Sequence, residues 1–173
     1  YVLHNDAAGG SGADRGWGVA VDDAGRILVV GNSKRAAVGN LDLAVWRYLP
    51  DGGIDTTFAG AGYFTKNTLP GWGDANTEEA YAVTVQPDGK IVFVGQLYSG
   101  VSDSFIGRYL ENGTPDTAFG TGGSGYYVQN AAAQEAFNDV RVLQPSGNIL
   151  AAGYATLGGE YEGIIVGFLP NGV

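Results

Sequence analysis

Charged side chains recur along the chain at fixed offsets. Asp42 and Asp103 each precede an arginine by five residues, Arg47 and Arg108, and each arginine is followed eight residues later by a second acid, Asp55 or Asp116. Glu162 stands at the corresponding place in a third segment, which carries Gly167 where the others carry arginine. Recurring carboxylates could bind Ca²⁺ through oxygen ligands. Paired across a sugar, they could act as the acid and base of a glycoside hydrolase. An arginine between two acids has a simpler use, because its planar fork can tie a strand to a loop. Positions locked into a repeat usually serve the fold. Arg47, Arg108, Asp55 and Asp116 are therefore expected to form structural salt bridges, and Asp42, Asp103 and Glu162 stand as the weak calcium candidates. No spaced Asp-x-Asp-x-Asp-Gly loop occurs; Asp51 and Asp55 lie four residues apart around a turn.

Other routes to chemistry are sparse. His4 is the single histidine and there is no cysteine, which excludes multi-histidine metal centres, zinc knuckles and thiol nucleophiles. The stretch Gly120–Gly125 looks like a phosphate loop, but no Lys-Ser/Thr follows it. No catalytic residue is assigned, no cofactor other than calcium is expected, and the chain is read as a non-enzyme. Rings offer the better hint: Trp72, Tyr98, Tyr154 and Tyr161 fall in or near inter-strand loops, where they could stack on sugars or anchor a protein partner. Trp17 and Trp46 are read as braces between units. Asn112-Gly113-Thr114 matches a glycosylation acceptor, yet Asn-Gly is also the expected hairpin dipeptide, and the turn reading is taken.

The elements that must position these groups are repeated. Val21-Asp22-Asp23-Ala24-Gly25-Arg26-Ile27-Leu28 returns as Val85-Gln86-Pro87-Asp88-Gly89-Lys90-Ile91-Val92 and as Leu143-Gln144-Pro145-Ser146-Gly147-Asn148-Ile149-Leu150, at periods of 64 and 58 residues. Each copy has two apolar runs around a Gly-containing turn, which predicts a β-hairpin. A third strand follows, starting at Asp42, Asp103 or Glu162 and ending in Leu49-Pro50-Asp51-Gly52, Leu110-Glu111-Asn112-Gly113 or Leu169-Pro170-Asn171-Gly172. In two copies Asp-Thr-x-Phe and a glycine-rich stretch lead to a fourth strand, Tyr63–Asn67 or Tyr126–Asn130.

The third copy stops before its fourth strand, and Tyr1–Asn5 carries the matching pattern. This predicts an all-β, β-propeller-like fold of three four-stranded antiparallel blades, displaced circularly so that the N-terminal strand completes the last one. The units are 17–67, 80–130 and 137–173, with residues 1–5 as the closing strand, expected to pair with Gly163–Leu169 within the chain or across a dimer. A closed β-trefoil is the alternative fold. Propellers have about 4 to 8 blades, so three units imply either a homodimer closing a six-bladed ring or a piece of a longer array. These residues resemble the delta-60 repeat, a bacterial propeller-like family, best over Gln86–Gly95 and Asp103–Gly120. The resemblance implies an exported or surface-attached repeat region without assigned catalytic residues.

Thirty Gly and ten Tyr, against nine Lys plus Arg, suit a secreted β-protein, and residue 1 is read as a processed or trimmed end. A net charge of −9 without a basic cluster disfavours nucleic acid as partner. No apolar run approaches the roughly 20 residues of a membrane helix, so membrane insertion is not expected. The resulting expectation is an extracellular, cell-surface or periplasmic interaction module presenting blade loops to a protein or glycan. The alternatives are a carbohydrate-binding lectin, or a glycoside hydrolase or lyase working through paired carboxylates.

Overall fold

A computed structural model describes residues 4, 7–9, 12–35, 39–69, 77–129 and 134–173. The described residues form eleven strands and one short 3-10 turn at Thr121–Gly123. Strands β1 (Asp14–Val21), β2 (Ile27–Lys34), β3 (Leu41–Tyr48) and β4 (Tyr63–Lys66) make the first sheet. The second consists of β5 (Thr77–Val85), β6 (Ile91–Tyr98), β7 (Ser102–Tyr109) and β8 (Tyr126–Gln129). In the third, β9 (Glu135–Val142), β10 (Ile149–Leu157) and β11 (Glu160–Phe168) stand in the same order. All three are open antiparallel meanders, an arrangement that does not match the closed trefoil alternative.

Local sequence explains each meander. Gly25 and Gly89 close their hairpins by donating to the carbonyls of Asp22 and Gln86, both at 2.9 Å. Each first strand carries an extra residue at a β-bulge, Trp17 in β1 and Tyr81 in β5, with a register shift at the same point of the third sheet. The bulge brings strand backbones so close that only glycine fits opposite: a Cβ on Gly95 would stand 1.9 Å from the Glu79 carbonyl oxygen. Gly31 and Gly153 occupy the equivalent places.

Strand alternation gives every sheet two apolar faces, and the sheets bury them against one another. The forward face of a sheet looks toward the next sheet in chain order, and the backward face looks the other way. Leu28, Val30, Leu43 and Val45 on the forward face of the first sheet share a core with Val83, Ile91, Phe93 and Tyr109 on the backward face of the second. Val92, Val94 and Ile106 then meet Phe137, Val140, Ile149, Ala151 and Phe168 of the third. The short fourth strands join in, with Phe64 stacked on Tyr109 at 4.2 Å and Tyr127 edge-on to Phe168 at 5.7 Å.

Two faces stay open among the described residues. On the backward face of the first sheet Val19 is 67% exposed, where the equivalent Val83 and Val140 are buried. On the forward face of the third sheet Ile165 is 76% exposed, where the equivalent Val45 and Ile106 are fully buried. The third sheet also lacks a fourth strand beside β11 among the described residues. The closing strand expected at residues 1–5 lies mostly outside the described residues. His4, which is described, packs edge-on to Tyr63 at 4.7 Å and to Trp46 at 6.1 Å, both in the first sheet.

Candidate functional site

The structure uses the recurring charged residues to lock one sheet to the next. Arg47 near the end of β3 donates from Nε to Asp55 Oδ2 at 2.8 Å and from Nη2 to Thr57 Oγ1 at 3.3 Å. Its Nη1 donates across the joint to the Glu111 carbonyl, in the turn of the second sheet. The guanidinium lies 4.7 Å over the Phe58 ring, a cation–π contact strengthened by exclusion of water. Behind the arginine, the Ala59 amide donates to the Asn112 carbonyl at 2.9 Å.

One sheet further on the arrangement returns. Arg108 Nε donates to Asp116 Oδ2 at 2.8 Å, its Nη1 to the Pro170 carbonyl, and its guanidinium lies 4.5 Å over Phe119. The Gly120 amide donates to the Asn171 carbonyl at 2.8 Å. In each joint the phenylalanine presses on a turn glycine held at positive φ, Gly113 (φ 85°) or Gly172 (φ 82°). A Cβ on Gly113 would meet Phe58 at 2.9 Å. The Asn112-Gly113-Thr114 segment is accordingly a buttressed turn, with the Asn112 Oδ1 accepting from the Thr114 amide at 3.0 Å.

The joint's acids respond to these partners. Hydrogen bonds from Thr57, together with neighbouring Arg47, hold the Asp55 carboxyl below the usual carboxylate range despite its desolvation. Asp103 behaves oppositely: burial, and then the Glu135 carboxylate across the joint, push its pKa up. Glu135 accepts from Ser104 Oγ at 3.1 Å, which places Glu135 inside the interface between the second and third sheets, while Asp103, one residue before Ser104, lies on the opposite face of β7 beside Leu97. Nearer the first strands, Glu79 gathers Asn32 Nδ2 at 2.7 Å, Tyr81 Oη at 2.9 Å and Gln96 Nε2 at 3.1 Å, linking first and second sheets.

The three recurring acids are not brought together. Asp42 is buried against Arg35 Nε at 3.2 Å, Asp103 is buried beside Glu135, and Glu162 is exposed. Among the described residues no three His, Cys, Asp or Glu side chains converge as ligands of an ion. Trp72 lies outside the described residues. Tyr98 ends β6 and is half exposed. Tyr154 and Tyr161 lie within β10 and β11 rather than in loops, because the third hairpin is longer than its turn signal suggests. They meet edge-on at 5.2 Å on the open forward face of the third sheet. Trp46 is buried with an indole N–H that has no hydrogen-bond partner among the described residues. Trp17 is half exposed and reaches across to Tyr81 at 6.3 Å.

Sequence reasoning did not find the arginine–carbonyl clasp, the Asp103–Glu135 pair or the Glu79 node. A signal for the first was present, since Asp-Thr-x-Phe in one copy always precedes an Asn-Gly turn in the next. No curated protein matches the chain. A family model for a β-propeller domain of unknown function (DUF5122) matches residues 25–58 and 86–119, two segments that each begin at a hairpin turn and end on the phenylalanine beneath the arginine, so over its first two repeats the chain is similar to that family.

Proposed function

We propose that the chain is a non-catalytic interaction module of propeller architecture, built from repeats of the delta-60 type and working outside the cytoplasm as a scaffold for a protein or glycan partner. One observation supports this reading above the others: the recurring charged and aromatic residues are consumed in joining sheet to sheet. Arg47, Asp55 and Phe58, like Arg108, Asp116 and Phe119, have their hydrogen-bonding and stacking capacity spent within the fold. A propeller unit needs such neighbours on both faces, which explains why the residues recur.

The carboxylate pair that favours a hydrolase, Asp103 and Glu135, is 3% and 1% exposed. A substrate would have to part packed sheets to reach either. Surface rings such as Tyr98 are the accessible groups for a partner. Incubation with a panel of glycosides is expected to give no turnover; turnover abolished by Glu135→Gln would contradict the reading. On a glycan array, binding lost in Tyr98→Ala would identify the partner as a sugar, whereas an array without signal directs the search to proteins.

A further inference from the structure

We propose that Asn112 is a site of spontaneous deamidation governed by the joint between the first and second sheets, and that its isoaspartyl product is a form of the chain in which this joint cannot close. Asn112 is exposed, so water reaches it, and it is followed by Gly113. Glycine, without a Cβ, obstructs least the attack of its own amide nitrogen on the preceding side chain. In that attack the Gly113 nitrogen gives up its proton to solvent and bonds to Asn112 Cγ, and the Cγ–Nδ2 bond breaks to release ammonia. Water then opens the cyclic imide. Cleavage of the new bond to Cγ leaves an ordinary aspartate. Cleavage at the main-chain carbonyl carbon leaves isoaspartate, whose backbone runs through Cβ and Cγ and is longer by a methylene. Water is the only co-reactant consumed.

The closed joint opposes the first step at every atom involved. The Gly113 amide that must attack donates instead to the Leu110 carbonyl at 2.9 Å. Asn112 Oδ1 accepts from the Thr114 amide at 3.0 Å and from the Thr114 hydroxyl at 2.7 Å, which ties the Asn112 side chain to Thr114. Gly113 is buried at φ 85° beneath Phe58. The first sheet holds the same turn from outside: Ala59 donates to the Asn112 carbonyl at 2.9 Å and Arg47 Nη1 to that of Glu111. Ring closure requires the turn to release these contacts. Conversion therefore proceeds from the open joint, at a rate set by how often it opens.

The two products differ in what they do to the fold. The repeat already accommodates aspartate here: Asp51, before Gly52, accepts from the Gly53 amide at 2.8 Å, as Asn112 does from Thr114, and Gly52 has φ 89°. Isoaspartate has no such counterpart. It turns the carbonyl that receives Ala59 into a carboxylate branching off the chain. The added methylene also displaces Gly113 against Phe58, where a Cβ would already stand at 2.9 Å. Asn171-Gly172 occupies the matching turn of the second joint, with Gly120 donating to the Asn171 carbonyl, and provides an internal reference.

Peptide mass spectrometry after incubation at mildly alkaline pH, with isoaspartyl and aspartyl peptides separated by chromatography, tests this. Asn112 is expected to convert at least about tenfold faster in urea than in the folded protein. In native buffer Arg47→Ala should accelerate Asn112 and spare Asn171, and Arg108→Ala should do the reverse. If circular dichroism shows Arg47→Ala to be unfolded, Arg47→Lys makes the same comparison with a milder loosening. Asn112→Asp should keep the Ala59 amide protected from hydrogen exchange, whereas the purified isoaspartyl protein should lose that protection. Equal rates in urea and native buffer, no conversion in either, both asparagines accelerated together, or an isoaspartyl form with Ala59 still protected would each overturn the proposal.

Discussion

Arg47 and Arg108 each bind a carboxylate in their own sheet, a carbonyl in the next and the face of a phenyl ring. Lysine cannot reproduce that, because its ammonium is a compact charge without the planar fork. Removing one partner of a buried pair leaves the other charge uncompensated and costs about 3–5 kcal/mol. Arg47→Ala is therefore expected to lose that much stability in urea titration, with Arg47→Lys recovering only part. Gly167→Arg, by contrast, adds a charge on an exposed strand and should stay within about 0.5 kcal/mol of wild type.

Acid–base behaviour separates two residues that look alike in sequence. The folded protein depresses Asp55, so its contribution is present above the ordinary carboxylate range and is lost as pH falls through the depressed value. Asp103 is raised, so its favourable contribution exists below the ordinary range and disappears as pH rises through the raised value. Thermal melts should find Asp103→Asn more stable than wild type at neutral pH, with the difference shrinking in acid. Asp55→Asn should be less stable at neutral pH and converge with wild type in acid. The same sign for both variants at neutral pH would contradict the assignment.

At the scale of elements, hairpins and strands were legible because turn chemistry and alternation are local. The fourth strands expected at Tyr63–Asn67 and Tyr126–Asn130 appear as Tyr63–Lys66 and Tyr126–Gln129. Hidden from a local reading were features that exist only once strands pair. The bulges at Trp17 and Tyr81 are one case, since an extra residue shows only against a partner strand. The placement of Tyr154 and Tyr161 within strands is another, since Gly158-Gly159 makes a turn tight enough for β10 and β11 to run up to it. Three glycines give a sharp test. Gly95→Ala drives a methyl into the Glu79 backbone and should cost about 3 kcal/mol, the upper range for overpacking. Gly113→Ala adds positive-φ strain to the Phe58 clash and should also destabilise, whereas Gly39, at positive φ but with open space around it, pays only the strain. Chemical denaturation ranks the three.

For the whole molecule, the repeat announced the number of sheets, while their mutual burial had to be seen. Asp55 and Asp116 were legible as partners of the arginines from an eight-residue spacing within one copy. The carbonyls of Glu111 and Pro170 were not, because contacts 64 and 62 residues apart join backbone atoms that carry no sequence signature. The Ser104–Glu135 hydrogen bond was likewise invisible, its partners being brought together only by packing of the second sheet on the third. Stability in such arrays is a sum of units and nearest-neighbour joints, so damage to one joint should be felt mainly there. Amide hydrogen exchange reads this directly through two protons, those of Ala59 in the first joint and Gly120 in the second, each donated across to the next sheet. Arg47→Ala should speed exchange at Ala59 and spare Gly120, and Arg108→Ala should do the reverse; both amides changing together, or neither changing, would contradict two equivalent, arginine-locked joints.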